Sequence, residues 1–367
     1  MERTEKKISA YIQLYERLRE QIIAGDYPYG SRLPSKRQLS EETGRSVVTV
    51  EHALSLLCDE GYLEARERSG HFVRFRAEDG FVPAAAARRR PAAHTGERTE
   101  FPFSVLAKTM RRVISEYDAA LLERCPNQGC EELRAALSRY LGRSRGIHAA
   151  PEQIFIGSGA EYLYGLIVQA LGRERLYALE DPSYEKIRQV YSAQGAAVTL
   201  LPLAADGIDS RALRATKASV LHITPYRSFP SSVTASAAKR REYIRWAEGE
   251  DRFVVEDDFT SEFTTSSKPE ETVFSLSGKG NVLYMNTFSQ TVAPSLRMGY
   301  LVLSESMAEA FTRRLGFYSC TVPVFEQYVL AELIESGDYE RHIRRTRRRL
   351  RRMEKSIAPR PANELMD

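Results

Sequence analysis

The chain is poor in several features that mark particular protein classes. Among its 367 residues there are four cysteines, Cys58, Cys125, Cys130 and Cys320, scattered along the chain. Cys125 and Cys130 are the one close pair, and neither a second pair nor a neighbouring histidine completes a zinc-site spacing. No metal site is expected, and reduced thiols are the simplest reading. No apolar run is long enough to span a bilayer, and no signal-peptide core follows Met1-Glu2-Arg3-Thr4-Glu5-Lys6-Lys7. The chain therefore reads as soluble and cytoplasmic, with no membrane partner. A net charge of only +4 sets up no global basic field. The basic excess is local, in Arg88-Arg89-Arg90 and between Arg341 and Arg352. What the chain does have is 43% hydrophobic content, enough for two or three domains with a sizeable core.

Three helices and a hairpin are legible in the first 76 residues. Tyr11, Leu14, Tyr15, Leu18 and Ile22 recur at helical spacing, from Ile8 until Gly25 ends the run. Ser35 stands as the N-cap of a second helix with Leu39 inward, closed by Gly44. Ser46 caps a third, with Val50, Ala53, Leu54 and Leu57 on one face. Strands over Tyr62–Ala65 and His71–Phe75 then flank a turn at Ser69-Gly70. This is the pattern of a winged helix-turn-helix. Residues 77–100 carry an alanine run, Arg88-Arg89-Arg90, Pro91 and Gly96 without apolar periodicity, and read as a linker.

From residue 101 to 367, strand-like segments alternate with helical ones, the signature of an α/β fold with a mostly parallel sheet. One stretch stands out. Val282-Leu283-Tyr284-Met285 leads into Asn286-Thr287-Phe288-Ser289-Gln290-Thr291-Val292-Ala293-Pro294-Ser295-Leu296-Arg297-Met298-Gly299, and Tyr300-Leu301-Val302-Leu303 leaves it. That is a strand–loop–strand with small hydroxyls and one arginine at its tip, a chemistry suited to anions. Upstream, Gly157-Ser158-Gly159-Ala160 joins a strand to a helix N-terminus, a second anion-binding device.

Both halves resemble known families. L-P-S-x-R, S-x-x-T-V, E-G-Y-L and S-G-x-F-V over residues 8–76 resemble the GntR family of bacterial regulators. From residue 101 to about 358, N-Q-G-x-x-E-L-R, S-R-G-I, I-G-S-G-A, E-D-P-S-Y, I-T-P-Y-R-S-F-P, V-E-D-D-F and S-Q-T-V-A-P-S-L-R-M-G-Y occur in the order of the aminotransferase-like domain of the MocR subfamily, fold type I. The resemblance implies a transcriptional regulator that binds a double-stranded DNA operator as a homodimer. It places Ser35 and Arg37 on phosphates, and Arg45, Ser46, Val48 and Thr49 at the head of the recognition helix. His71 is expected at the wing tip. Val47 stands where the family usually has arginine, and a valine packs on a thymine methyl but donates nothing to guanine.

The resemblance also implies a pyridoxal 5'-phosphate pocket. Gly159, Ala160, Ser289 and Arg297 would hold the phosphate, Tyr184 would lie by the ring, and Asp257 would pair with the ring nitrogen. Three positions depart from that pattern. The Schiff-base lysine is Gln290, a ring-facing tyrosine is Phe259, and a His-Gln pair is Arg227-Ser228. An amide nitrogen does not condense with an aldehyde as an amine does. The chain also stops at Asp367, where the family continues into a small domain. The expectation is therefore a DNA-binding regulator with no catalytic residue, whose aminotransferase-like domain dimerises and senses an effector. A cofactor, or its amine adduct, would be held noncovalently if at all. An active aminotransferase is the disfavoured alternative. The arginines near the C-terminus are expected on a solvated helix face.

Overall fold

The computed structural model describes residues 9–66, 69–76, 101–264, 271–278 and 280–357. Ile8 and the linker expected over 77–100 lie outside the described residues. Contacts divide the chain into two units, Met1–Thr95 and Gly96–Asp367.

The first unit forms where its apolar spacing places it. Helix α1 (Ala10–Ala24) buries Leu14, Tyr15, Leu18 and Ile22, and Gly25 caps it in the left-handed conformation. Helix α2 (Lys36–Thr43) opens on a reciprocal capping box between Ser35 and Gln38. Helix α3 (Val47–Asp59) buries Val50, Ala53, Leu54 and Leu57 against the other two helices. Strands β1 (Leu63–Arg66) and β2 (Gly70–Val73) pair antiparallel. A third short segment joins this wing: Leu33 N–H donates to the His71 carbonyl at 2.9 Å, and Gly30 N–H to that of Val73 at 2.8 Å. Ser31-Arg32-Leu33-Pro34 has no alternation, so its pairing is not announced in the residues.

The second unit runs α4 (Phe103–Tyr117), α5 (Glu131–Arg145), β3 (Ile154–Gly157), α6 (Ala160–Leu171), β4 (Leu176–Asp181), α7 (Glu185–Ala193), β5 (Ala197–Ala204), β6 (Gly207–Ile208), α8 (Ser210–Ala215) and β7 (Val220–Ile223). It continues through α9 (Ala237–Ala247), β8 (Phe253–Asp257), α10 (Val273–Leu276), β9 (Val282–Thr287), β10 (Gly299–Val302), α11 (Glu305–Leu315), α12 (Val324–Glu335) and α13 (Asp338–Ile357). The eight strands lie in the order β3-β10-β9-β8-β7-β4-β5-β6. The central pairs β9–β8, β8–β7, β7–β4 and β4–β5 are parallel, while β10 runs antiparallel to both β3 and β9.

Alternation along the strands explains the three-layer build. Leu301 and Leu303 pack with α6 and α11 residues, whereas Tyr300 and Val302 pack with α5 and α12 residues. Leu283 and Met285 likewise face the first group, and Val282 faces α9. Both faces are covered, so the strands read as nearly unbroken apolar runs. Gly129 in the N-Q-G motif shows why that glycine is there: a Cβ would come within 2.5 Å of Ile156.

Helix α13 resolves the C-terminal arginine run. Tyr339, His342, Ile343 and Thr346 are buried, while Arg344, Arg345, Arg348, Arg349, Arg351 and Arg352 are exposed, as expected of a solvated face. Arg347 departs from that expectation, because its Nε donates to the Glu262 carbonyl at 2.5 Å.

One buried ion pair joins two sequence motifs. Arg145 of S-R-G-I bonds Asp258 of V-E-D-D-F, with side chains 4% and 0% exposed. Burial works against the Arg145 charge, but Asp258 outweighs it and holds the guanidinium pKa well above its ordinary value. Tyr284 adds a hydroxyl donor to Asp258 at 2.7 Å. Removing one partner strands a buried charge. Arg145→Ala should therefore cost the second unit about 3–5 kcal/mol. Trp246 in α9 is the chain's only tryptophan, so its fluorescence during denaturant unfolding reports this unit. An unchanged midpoint would contradict the assignment.

Candidate functional site

The first unit presents the N-terminus of α3. Val47 and Val48 are exposed there, Val48 by 62%. Ser46 Oγ accepts from Thr49 N–H at 3.2 Å and lies 2.8 Å from Thr49 Oγ1. Ser35 Oγ accepts from Gln38 N–H at 3.3 Å. These three hydroxyls thus fix the helix starts, leaving backbone N–H groups and Val48 outermost. Arg45 reaches back to Gln13 Oε1 at 3.0 Å. Arg37 is exposed on α2, with no ion pair among the described residues.

His71 is not at the wing tip. It lies inside β2 opposite Ala65 and is half-buried, because pairing begins at Gly70 and the turn precedes it. Burial, then the Lys36 charge, lowers its pKa below the ordinary histidine value. Lys36 itself bonds Glu51 at 2.5 Å, tying α2 to α3.

In the second unit, β3, β9, β8, β7 and β4 all end on one edge of the sheet, and β10 begins there. Ligands of open α/β sheets bind at such an edge. Gly159 and Ala160 follow β3, Tyr184 follows β4, Asp257 ends β8, Ser289 follows β9 and Arg297 precedes β10. Gly159 has φ 91° and caps α6, and a Cβ there would meet the Arg297 guanidinium at 3.2 Å. The arginine therefore lies over the glycine turn. Its own φ of 43° is left-handed, an uncommon state for a residue with a side chain. It bonds Glu161 in the first turn of α6, and Lys186 of α7 lies 3.3 Å from the same carboxyl group.

Asp257 is 1% exposed. Tyr164 O–H donates to its Oδ2 at 2.6 Å. Burial, then the Asp257 charge, drives the Tyr164 pKa well above its ordinary value, so the phenol keeps its proton. His222 Nε2 stands 3.5 Å from Oδ2 and makes no hydrogen bond, while its Nδ1 is 2.8 Å from the Tyr191 hydroxyl oxygen. Asp257 Oδ1 is buried without a hydrogen-bond partner, as are Asp258 Oδ1 and His222 Nε2 beside it. Unpartnered buried polar atoms are rare in folded proteins.

The three departures from the family pattern sit around this edge. Gln290 is exposed. Phe259 is half-buried. Arg227 is exposed at φ 50°, and its neighbour Ser228 donates to buried Glu180 at 2.5 Å. Tyr184 meets Phe229 edge-on, with centroids 6.1 Å apart. Tyr164, His222 and Glu161 are the contributors that motif reading missed. Tyr164 and Glu161 lie within a turn of Ala160, where inward spacing on α6 was the available signal.

The cysteines are less scattered than the sequence suggested. Cys320 joins Cys125 and Cys130 around Gln327, whose Oε1 accepts from Cys130 N–H at 2.8 Å. Burial pushes Cys130 up to about 12 and Cys320 to about 11, so both remain thiols. Among the described residues no cluster of His, Cys, Asp and Glu has the arrangement of a metal site.

The two units define a class: a winged-helix DNA-binding module joined to a fold-type I aminotransferase-like domain. Known families agree. The model for bacterial regulatory proteins of the gntR family matches residues 10–73, and that for aminotransferase class I and II matches 95–360. The HTH-type transcriptional regulator YdeL of Bacillus subtilis, itself described as uncharacterized, is 30% identical over 94% of this chain and 77% of its own. The probable rhizopine catabolism regulatory protein MocR of Rhizobium meliloti is 30% identical over 92% of this chain and 74% of its own. The pyridoxine biosynthesis regulator PdxR of Corynebacterium glutamicum is 27% identical over 92% and 75%. Among solved structures, the kynurenine aminotransferase of Pyrococcus horikoshii superposes with a TM-score of 0.62 at 26% identity, over 68% of this chain and 64% of that one. The chain thus spans less than two thirds of that enzyme. It belongs to the MocR subfamily of GntR-type regulators and is a DNA-binding transcriptional regulator with an aminotransferase-like domain.

Three carboxyls below the sheet edge are pushed up by burial: Glu256 to about 8, and Glu180 and Glu262 to about 7. Glu256 accepts from Val273 and Phe274 N–H at 2.9 and 2.8 Å, yet burial and the Asp258 charge outweigh those bonds. Folded-state values above the unfolded 4.5 mean that the folded protein binds more protons over that window. Stability of the second unit should therefore fall as pH rises from about 5 to about 8. Glu256→Gln should flatten this fall in Trp246-monitored melts, and parallel slopes in the two proteins would refute it.

Proposed function

We propose that this regulator reads DNA through residues 1–76, is linked through 77–100, and uses 101–367 to dimerise and to sense a small molecule without catalysing amino-group transfer. The observation that carries this reading is that Gln290, an exposed amide, follows β9 on the same sheet edge where β8 ends in Asp257, whose buried Oδ1 has no hydrogen-bond partner. The donor set suits the ring of pyridoxal 5'-phosphate or of its amine adduct: Asp257 Oδ1 would accept from a protonated ring nitrogen, with Tyr164 fixing the carboxyl through Oδ2. Such a group brings an aldehyde that condenses with amines, and residue 290 offers none. Phe259 lacks a hydroxyl for the ring oxygen. Occupancy is therefore noncovalent, and the chain is a regulator rather than an enzyme.

A homodimer in the cytoplasm would carry two winged helices to paired half-sites of a double-stranded operator. Arg37, together with the backbone N–H groups at the starts of α2 and α3 capped by Ser35 and Ser46, would hold phosphates. Val48 and Thr49 would face base edges, where Val48 favours a thymine methyl. Arg45 and His71 would support this face from its margins. The second reading, amino-group transfer, draws only on the likeness to aminotransferases.

Two outcomes test the proposal. Footprinting on the gene's own upstream region should show protection at physiological salt, and Arg37→Ala should weaken binding to all sequences alike, lowering the salt slope by about 1. Equal affinity for random DNA would sink the DNA reading. Titration with pyridoxamine and with the aldehyde pyridoxal, watched by absorbance and Trp246 fluorescence, should saturate, the aldehyde without a one-to-one imine band, and Asp257→Ala should abolish binding. Saturable binding that survives Asp257→Ala would remove the pocket from the account.

A further inference from the structure

The turn that would cradle a phosphate already holds an anion. Arg297 donates to one oxygen of Glu161, and Lys186 Nζ lies 3.3 Å from the other. The guanidinium rests against Gly159, over the start of α6. Glu161 belongs to the first turn of that helix, where the N-terminal field favours a carboxylate. Burial acts to raise the Glu161 pKa, but the Arg297 hydrogen bond, the backbone N–H and Lys186 outweigh it and hold the group below its usual value. Two cations and a helix N-terminus thus face one resident carboxylate.

A phosphate monoester brings about −1.5 to −2 charges at neutral pH. To reach Arg297 it must displace Glu161 or lie beside it, and like charges at that range repel. The other end of the pocket makes the opposite demand. Asp257 Oδ1 is an acceptor without a donor, which a protonated ring nitrogen would satisfy. One end attracts a cationic ring, and the other is self-neutralised.

We infer that Glu161 is a specificity-determining residue, an internal occupant of the anion cup that biases the pocket toward phosphate-free, protonated heteroaromatic bases and against their phosphate esters. This rests on the noncovalent ligand reading of the pocket given above. The side chains of Glu161, Arg297 and Lys186 are 29%, 54% and 55% exposed, so solvent screens their attraction and the effect is a bias rather than a block.

Pyridoxamine and pyridoxamine 5'-phosphate differ only in the phosphate and serve as the paired probes. The full chain, Glu161→Gln and Glu161→Ala are titrated with each, and Trp246-monitored melts check folding. The alanine variant covers the case in which a glutamine amide keeps its bond to Arg297. The unsubstituted chain should bind pyridoxamine at least as tightly as the ester. Removing the carboxylate should tighten the ester on the order of tenfold and leave pyridoxamine within about twofold. An ester preference in the unsubstituted chain, with the same ratio in both variants, would overturn the inference while leaving the ligand site intact. Folded proteins that bind neither probe would overturn the ligand site itself, and the inference with it.

Discussion

Two neighbouring carboxyls at the end of β8 set the terms for the second unit. Consecutive residues of an extended strand point to opposite faces, so Asp257 and Asp258 look away from each other. Asp258 meets Arg145 and the Tyr284 hydroxyl, which ties α5 to the sheet through a buried charge pair. Asp257 meets a phenol and, at a longer distance, an imidazole, and one of its oxygens meets nothing. Both carboxyls keep one buried oxygen, Oδ1, without a hydrogen-bond partner. They differ in charge: a guanidinium neutralises Asp258, while Asp257, among the described residues, has only a phenol and an imidazole within reach, at the edge where the parallel strands end. That difference in compensation is why the proposed ligand reading rests on Asp257.

The loop from Phe288 to Arg297 has a matching division of labour. Phe288 N–H bonds the Met298 carbonyl at 2.9 Å, and Val292 N–H bonds the Phe288 carbonyl at 2.9 Å. Tyr339 of α13 donates to Thr291 Oγ1 at 3.1 Å, and its ring packs edge-on against Phe288. These bonds shape the loop through its backbone and buried side chains. Gln290 takes no part in them and is exposed. A lysine-to-glutamine difference at such a position removes a nucleophile without disturbing the scaffold. The shape of an aminotransferase loop is therefore compatible with a residue other than lysine at this position.

Much of this was legible in the residues because it depends on local rules. Ser35 and Ser46 announce helix starts, Gly25 and Gly44 announce ends, and the spacing of Val50, Ala53, Leu54 and Leu57 gives the buried face of α3. The strand–loop–strand around Gln290 follows from two apolar runs and a proline turn. What stayed hidden depends on pairings between distant positions. Glu161 and Arg297 are 136 residues apart, and Arg145 and Asp258 are 113 apart. Neither pairing is encoded in a local period. The gathering of Cys320 with Cys125 and Cys130 is invisible for the same reason. His71 was misplaced by one step of register: a turn at Ser69-Gly70 puts the next residue inside the strand, not at the tip.

A regulator and an enzyme ask different things of the same pocket. An imine to a lysine adds a reversible covalent bond to the contacts that hold a cofactor, so such a cofactor leaves less readily than one held by contacts alone. A reversible ligand shifts the balance between protein states only through its differential affinity, and its occupancy follows its concentration. On the proposed reading, Gln290 offers no amine for attachment, so a ligand here would be held by contacts alone. On the same reading, Glu161 would bear on which ligand is measured, because it satisfies Arg297 and Lys186 before anything enters. Asp257 Oδ1 is one of several buried polar atoms left without a partner, and a buried unsatisfied acceptor costs free energy that a matching donor recovers on binding. On the proposed reading, the differential affinity that a sensor needs would lie at the ring end of the pocket, next to a carboxyl that Tyr164 already holds in place.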